Sequence, residues 1–525
     1  MSRSKADPSD RSNERPTASV APGPDFLQLD IGQAPPRGRT DWLTGRLRQA
    51  VADGRLPVGS RLPAGRALAE ELRVSRGVVT EAYRRLAESG QTAGRGRHGT
   101  IVVAAPTAPT PPPARGEPDP ARRSAPGPGT ARTATRPRPP VAPTRLRAAA
   151  TGTGSALAIE ELRSLDCRFD LAPGVPDLAA FPRTAWLRAE RAALTGLDPA
   201  AFGYGDPQGT PALRRAVTDW LARNRGVRAD PAEVVVVAGV AQGLALLAGL
   251  LREEGIDRIA VEDPGSLGGR RQLEAHGMTT EPVPVDAAGL DVAALRAGGA
   301  RAVLTTPAHQ FPTGAVLGGD RRRELLAWAE AGGLVIEDDY DAEHRYDRPA
   351  VPALKSLLPE RVCYAGSVSK LLAPALRIGW LLVPEAYRER LVHAKRYADL
   401  GNAALPQLAL ARLMESGDLE RHLRHVRRRH RRRRDALLTA MADRLPGATV
   451  RGAAAGLHLT VTFDGAFSDV DLAGAALARG VKTHPLSWHR VRPGPPGLVL
   501  GYAATPPADF PGAVAALADA HRGVS

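Results

Sequence analysis

Between Asp41 and Val103, apolar residues recur three times at helical spacing before the pattern shortens to that of a hairpin. Trp42, Leu43, Leu47 and Val51 fall three and four positions apart, giving a first helix one apolar face, which Gly54 ends. Leu62 and Pro63 lead into a second helix carrying Leu68, Ala69 and Leu72. After a turn of about three residues, Ser75 can cap a third helix with Val78, Val79, Ala82, Tyr83 and Leu86 turned inward, and Gly90 stops it. Two short helices joined tightly, then a Gly-rich hairpin closed by Ile101, Val102 and Val103, predict a winged helix-turn-helix. From about Phe169 to His521 the pattern changes: helical segments alternate with apolar runs such as VVVVAG, RIAVED, AVLTTP, GLVIEDD, VCYAGS and IGWLLVP. Such runs predict a mostly parallel central sheet wrapped by helices, an α/β architecture.

Between and before these regions the composition shifts. Residues 1–38 are polar and rich in Pro, Ser and Arg, and residues 104–150 are dominated by Pro and Arg with almost nothing large and apolar. Neither stretch can bury enough surface to fold, which predicts a disordered arm and a semi-extended linker. The expected organisation is thus an arm (1–38), a small domain (39–103), the linker (104–150) and a large domain (151–525), which suits a chain of 525 residues. The formal charge of +15 suggests a polyanionic partner, although Arg, Ala, Gly and Pro in excess over Lys are also what a GC-rich genome gives. The two cysteines, Cys167 and Cys363, lie far apart without metal-ligand spacing, which argues against a disulfide framework or a zinc site. No apolar leader opens the sequence and no run is long enough to span a bilayer, so a cytoplasmic protein is expected.

One set of residues in the large region has the chemistry to hold pyridoxal phosphate. That cofactor needs a lysine for its Schiff base, a carboxylate at the ring nitrogen, a donor near the ring hydroxyl, and a cation with backbone N–H groups for its phosphate. GSVSKLLAPALRIGW offers Lys370, with Ser367, Ser369 and Arg377 for the phosphate; GLVIEDDYDAEHRY offers Asp338 at a strand end and Tyr340 two residues on, on the same side. The turn VAGVAQGL adds the amides of Gly239, Val240 and Ala241 at a helix start. Asp339 and Asp341 can equally be a charged strand end, His309 and Gln310 can simply order a loop, and the arginine run Arg427–Arg434 reads first as a helix face.

Both halves resemble known families. The segments GRLPVGSRLP, RALAEELRVSR, VVTEAYRRLAESG and GRGRHGTIVV, in that order, resemble the DNA-binding domain of the GntR superfamily. That likeness implies that Arg66, Ser75, Arg76, Thr80 and Tyr83 face DNA, with Arg95, Arg97 and His98 in the wing near phosphate or the minor groove. Tyr83 fits a core position as well, and Arg84 and Arg85 a solvated face. The large region resembles fold-type-I aminotransferases through YGDPQGTPALRRAV, IEDDYDAEHRY and GSVSKLLAPALRIGWLLVP, and specifically the MocR subfamily, regulators that carry such a domain behind a GntR head. The resemblance implies pyridoxal 5'-phosphate as cofactor, Lys370 as its attachment point, a double-stranded DNA operator as partner, and a homodimer.

Three positions depart from the aminotransferase pattern. Phe311 stands where the enzymes carry Asn before Pro-Thr-Gly, Ser266 where an aromatic commonly covers the ring, and Val499 near the place of the substrate-carboxylate arginine; Arg490, Arg492 and His489 are close in sequence. These departures leave cofactor binding intact and weigh against transamination. The expected function is a transcriptional regulator that senses pyridoxal phosphate, alone or with an amine or amino acid, without physiological turnover beyond residual transaminase activity. The alternative is an aminotransferase carrying a DNA-binding head. A non-specific nucleic-acid protein acting through its Arg-rich linker is a third reading, marked by steep salt dependence.

Overall fold

The computed structural model describes residues 27, 29, 31–35, 38–94, 99–105, 155–346 and 351–524. Contacts divide them into a head, which includes residues up to Ala87 and Gln91–Ala105, and a body that takes in all residues from 155 onward. In the head, α1 (Arg39–Ala52), α2 (Gly65–Glu71) and α3 (Arg76–Glu88) precede an antiparallel hairpin of β1 (Thr92–Gly94) and β2 (Thr100–Val102), with Thr92 opposite Val102. Leu43, Leu47, Val51, Leu68, Leu72, Val79, Ala82, Leu86 and Val102 form one buried cluster, the positions that helical spacing marks as apolar. The chain turns between α2 and α3 with Arg73 in the left-handed region (φ 49°), which keeps the connection short. Part of the presumed arm is structured. Ile31–Gln33 form a 3-10 turn, Leu27 and Leu29 pack on the head's core, and Arg46 donates to Gln33 (2.7 Å). The apolar residues of FLQLDIG, embedded in a polar segment, account for this. The expected linker lies almost wholly outside the described residues.

The body is built on eight strands. They are β3 (Val234–Val237), β4 (Arg258–Asp263), β5 (Thr279–Asp286), β6 (Gly289–Leu290), β7 (Ala302–Thr305), β8 (Leu334–Asp339), β9 (Val362–Ser367) and β10 (Gly379–Leu382). Their order is β3-β10-β9-β8-β7-β4-β5-β6. The pairs β9–β8, β8–β7, β7–β4 and β4–β5 are parallel. Val235, Val237 and Leu381 bury on one face and Val234, Val236, Trp380 and Leu382 on the other, so these strands read as continuous apolar runs. β10 runs antiparallel to both neighbours, because the connection from β9 holds only a 3-10 turn and no crossover helix.

A second sheet follows, made of β11 (Thr449–Arg451), β12 (His458–Thr462), β13 (His484–Pro485) and β14 (Gly497–Gly501) in the order β11-β12-β14-β13. Leu459, Val461, Leu498 and Leu500 enter a core with the C-terminal helix Phe510–Arg522. On the opposite face lie His458, Thr460, Val499 and His484, with Thr460 and His484 both opposite Val499 in the ladder.

The 27-residue helix Asp418–Arg444 carries the arginine run. Its inner arginines hold the body together: Arg427 donates to the Glu343 carbonyl (2.5 Å), Arg429 and Arg433 pair with Asp177 (2.6 and 2.7 Å), and Arg434 donates to the Ala453 carbonyl (2.8 Å). Near its start His422 hydrogen-bonds the Leu371 carbonyl (3.1 Å). Among the described residues no helix is long and apolar enough to cross a membrane.

Candidate functional site

The residues singled out in the large region converge at the carboxyl ends of the parallel strands. Gly239 follows β3, Arg377 precedes β10, Ser367 ends β9 with Ser369 and Lys370 just beyond it, and Asp338 lies at the end of β8 with Tyr340 just past it, so neighbouring strands deliver all of them to one rim. Lys370 is half-buried, and its ammonium donates to the Gly174 carbonyl (2.5 Å). Gly174 is at φ +84°, and a Cβ there would stand 3.3 Å from the lysine nitrogen. Burial, and then the positive charge of Arg163, push the Lys370 ammonium down to about 8 against the pull of Asp341 and Asp338.

Asp338 is displaced the other way. Burial and the neighbouring carboxylates of Asp339, Glu262 and Asp341 push it up to about 7, while Lys370 opposes them. Its Oδ1 is buried without a hydrogen-bond partner. Asp339, one residue on and facing the other side, is occupied by Arg225 and by the Tyr364 hydroxyl (2.5 Å). Tyr340 lies 3.0 Å from Nδ1 of His309, whose other partner is Asp341 (2.9 Å). Burial and the nearby carboxylates raise the Tyr340 phenol well above its ordinary range, so it stays protonated and able to donate.

At the phosphate end, Arg377 adopts a left-handed backbone (φ 51°) and donates to the Ala238 carbonyl. Gly239 (φ +80°) caps the helix Val240–Glu253, and a Cβ on it would stand 3.0 Å from the Arg377 guanidinium. The first amides of that helix, at Val240 and Ala241, have no acceptor within it. The Ser369 amide reaches the Ser367 hydroxyl at 3.4 Å.

Sequence reasoning missed the frame around these groups. Glu262 is buried and accepts from Thr305 (2.6 Å), Thr306 (2.6 Å) and Gln310 (3.1 Å), which fixes the HQFPTG loop. Pro312 of that loop is held from the small sheet by His458 (3.0 Å) and Thr460 (2.5 Å). Phe311 packs between Tyr340, His458 and His489 with ring centroids 6.1, 4.9 and 5.0 Å away. The partners in these contacts lie too far apart in sequence for spacing to show them. Ser266 caps the helix Leu267–Ala275 through Gly269 (3.1 Å). Val499 is fully buried. Arg490 folds back onto the Pro495 carbonyl and Arg492 reaches the Pro282 carbonyl (3.0 Å), so neither is free to replace the missing arginine.

On the head, Arg66, Ser75, Arg76 and Thr80 are exposed along α2 and the start of α3. Tyr83 is half-buried and its hydroxyl donates to the Pro63 carbonyl (2.9 Å), which engages it within the head. Arg95, Arg97 and His98 lie outside the described residues.

Residues 169–517 match the family model for aminotransferase class I and II, and residues 41–102 match that for bacterial regulatory proteins of the gntR family. The chain is 32% identical to the pyridoxine biosynthesis transcriptional regulator PdxR of Corynebacterium glutamicum, over 91% of its own length and 95% of that protein. It is 30% identical to the probable rhizopine catabolism regulatory protein MocR of Rhizobium meliloti, over 88% and 89% of the two chains. Among solved structures, the α-aminoadipate aminotransferase of Thermus thermophilus, complexed with N-(5'-phosphopyridoxyl)-L-leucine, superposes with a TM-score of 0.64 at 27% identity, covering 72% of this chain and 98% of that one.

Proposed function

Given that this chain belongs to the MocR-type DNA-binding transcriptional regulators of the GntR superfamily, with an aminotransferase class I and II body, we propose that the body binds pyridoxal 5'-phosphate and that the cofactor, joined by an amine, is the signal the regulator reads. The observation that carries this reading is the orphaned, buried Oδ1 of Asp338. A buried carboxylate oxygen without a partner is costly unless a ligand supplies a donor, and a protonated pyridine nitrogen is such a donor. Lys370 stands across the same rim as the attachment point, with Tyr340 as donor to the ring hydroxyl and Arg377, Ser367, Ser369 and the Gly239–Ala241 amides for the phosphate. When bound, the cofactor supplies an electrophilic carbon that primary amines can attack. The protein's residues hold and orient it: Asp338 keeps a proton at the ring nitrogen and Tyr340 remains a donor.

The head would bind its operator through the start of α3, with Arg66, Ser75, Arg76 and Thr80 toward DNA, and two bodies would pair to present two heads. Borohydride reduction of protein saturated with pyridoxal phosphate, followed by peptide mapping, tests the cofactor reading. The label is expected on Lys370; a label elsewhere, or none, overturns it.

A further inference from the structure

Tyr340 does not stand alone at the rim. Its hydroxyl and the Asp341 carboxylate share one atom, Nδ1 of His309: the hydroxyl lies 3.0 Å from it, and the two carboxylate oxygens 2.9 and 3.2 Å. His309 and Asp341 are buried, 2% and 1% exposed, and the other ring nitrogen of His309, Nε2, is buried without a partner. Gly456 (φ +78°) closes the same edge of the ring, since a Cβ there would stand 2.5 Å from Nδ1 and 2.8 Å from Oδ2 of Asp341. His458 packs against the imidazole, with ring centroids 5.2 Å apart. Because Phe311 stands in the place of an asparagine, the ring-hydroxyl end of the site depends on the Tyr340 hydroxyl.

Nδ1 of His309 carries either a hydrogen or a lone pair, and that choice decides what Tyr340 can do. With a hydrogen, Nδ1 donates to Asp341, and the phenolic hydrogen is free to point at the cofactor's ring oxygen. With a lone pair, Nδ1 faces the carboxylate acceptor and competes for the phenolic hydrogen. A carboxylate 2.9 Å away, with no hydrogen to give, favours the first state. Tyr340 itself keeps its proton, because burial and the carboxylates of Asp341, Asp338 and Glu262 raise its phenol. The phenol thus answers to these three carboxylates and to His309.

We propose that His309 and Asp341 are positioning residues for Tyr340: Asp341 holds the hydrogen of His309 on Nδ1, and the pair thereby directs the phenolic hydrogen to the ring oxygen of the cofactor. This rests on the reading that the body binds pyridoxal phosphate. A hydrogen bond to the ring oxygen stabilises its negative charge, so the nitrogen that joins Lys370 to the cofactor holds its own proton less tightly. Acting through Tyr340, the pair sets the pH at which that nitrogen gives up its proton.

The test follows the visible absorbance of the full chain, saturated with pyridoxal phosphate, against pH. Tyr340→Phe removes the hydrogen bond and is expected to raise the midpoint by about one pH unit. Asp341→Asn should raise it as well, because Nδ1 can then accept the phenolic hydrogen. His309→Phe should do the same, because the carboxylate left behind takes that hydrogen itself. Direction separates this role from plain electrostatics, since loss of a nearby negative charge by itself makes a protonated nitrogen less stable and lowers the midpoint. In the cofactor-free full chain, nitrogen NMR of the histidine rings, with the His309 signal identified by its loss in His309→Phe, should find the hydrogen on Nδ1. A midpoint that falls or stays unchanged in Asp341→Asn, or a wild-type hydrogen on Nε2 alone, overturns the role of the pair and leaves the cofactor reading standing. No visible band with the cofactor overturns both.

Discussion

Unprotonated Lys370 is the form that reacts with a carbonyl, and burial, helped by the positive charge of Arg163, pushes that titration down to about 8. The rate of pyridoxal phosphate capture by cofactor-free protein should therefore rise with pH and level off above about 8, measured by stopped-flow absorbance; an ordinary lysine would keep rising toward about 10.4. Asp338 carries the opposite perturbation. Its pKa is raised from the ordinary 3.8 to about 7, so burial favours the protonated form, and the residue costs stability progressively as pH rises through that window. Asp338→Asn should thus melt later than wild type at pH 8 in the cofactor-free state, by about 1 to 2 kcal/mol after allowance for partial exposure. The two proteins should converge below about pH 4. The same variant should bind cofactor at least about tenfold more weakly. Greater stability combined with weaker binding would mark a charge kept for its ligand.

At the scale of elements, the head and the cofactor rim depend on backbone as much as on side chains. Gly239→Ala places a methyl 3.0 Å from the Arg377 guanidinium at a φ of +80°, and should lower cofactor affinity several-fold in an equilibrium titration while leaving operator binding by the head intact. On α3, Arg76→Ala should weaken operator binding by about 1 to 3 kcal/mol, whereas Arg138→Ala in the linker should change little; equal losses on all sequences would favour a linker-driven, non-specific binder. The strand runs of the body were legible because burial on both faces makes them continuously apolar, as in Val234–Val237. The reversal of β10 was not, since direction follows from the length and content of a connection and not from the strand itself. Lys370, Asp338 and Arg377 could be found as a set. The pairing of His309 with Asp341 and the clasp of His458 and Thr460 on Pro312 depend on long-range packing. Isolated polar residues in an alternating strand such as HLTVT look like a solvent face until a loop covers them.

In the whole molecule, head and body are joined through a segment dominated by Pro and Arg, residues 104–150. If cofactor occupancy alters operator affinity by some factor, operator must alter cofactor affinity by that same factor. Paired titrations, each with and without the other ligand, check this, and equal affinities in every arm would mean that the two domains are merely tethered. Within the body, the helix Asp418–Arg444 has a mechanical consequence. It is a strut about 40 Å long, fastened by His422 to the carbonyl beside Lys370, by Arg427 to the chain beyond β8, and by Arg434 to the connection between β11 and β12 of the small sheet. Loads applied at the cofactor turn and at the C-terminal sheet share one stiff member, so these two regions should yield together under force, as a single rip instead of two.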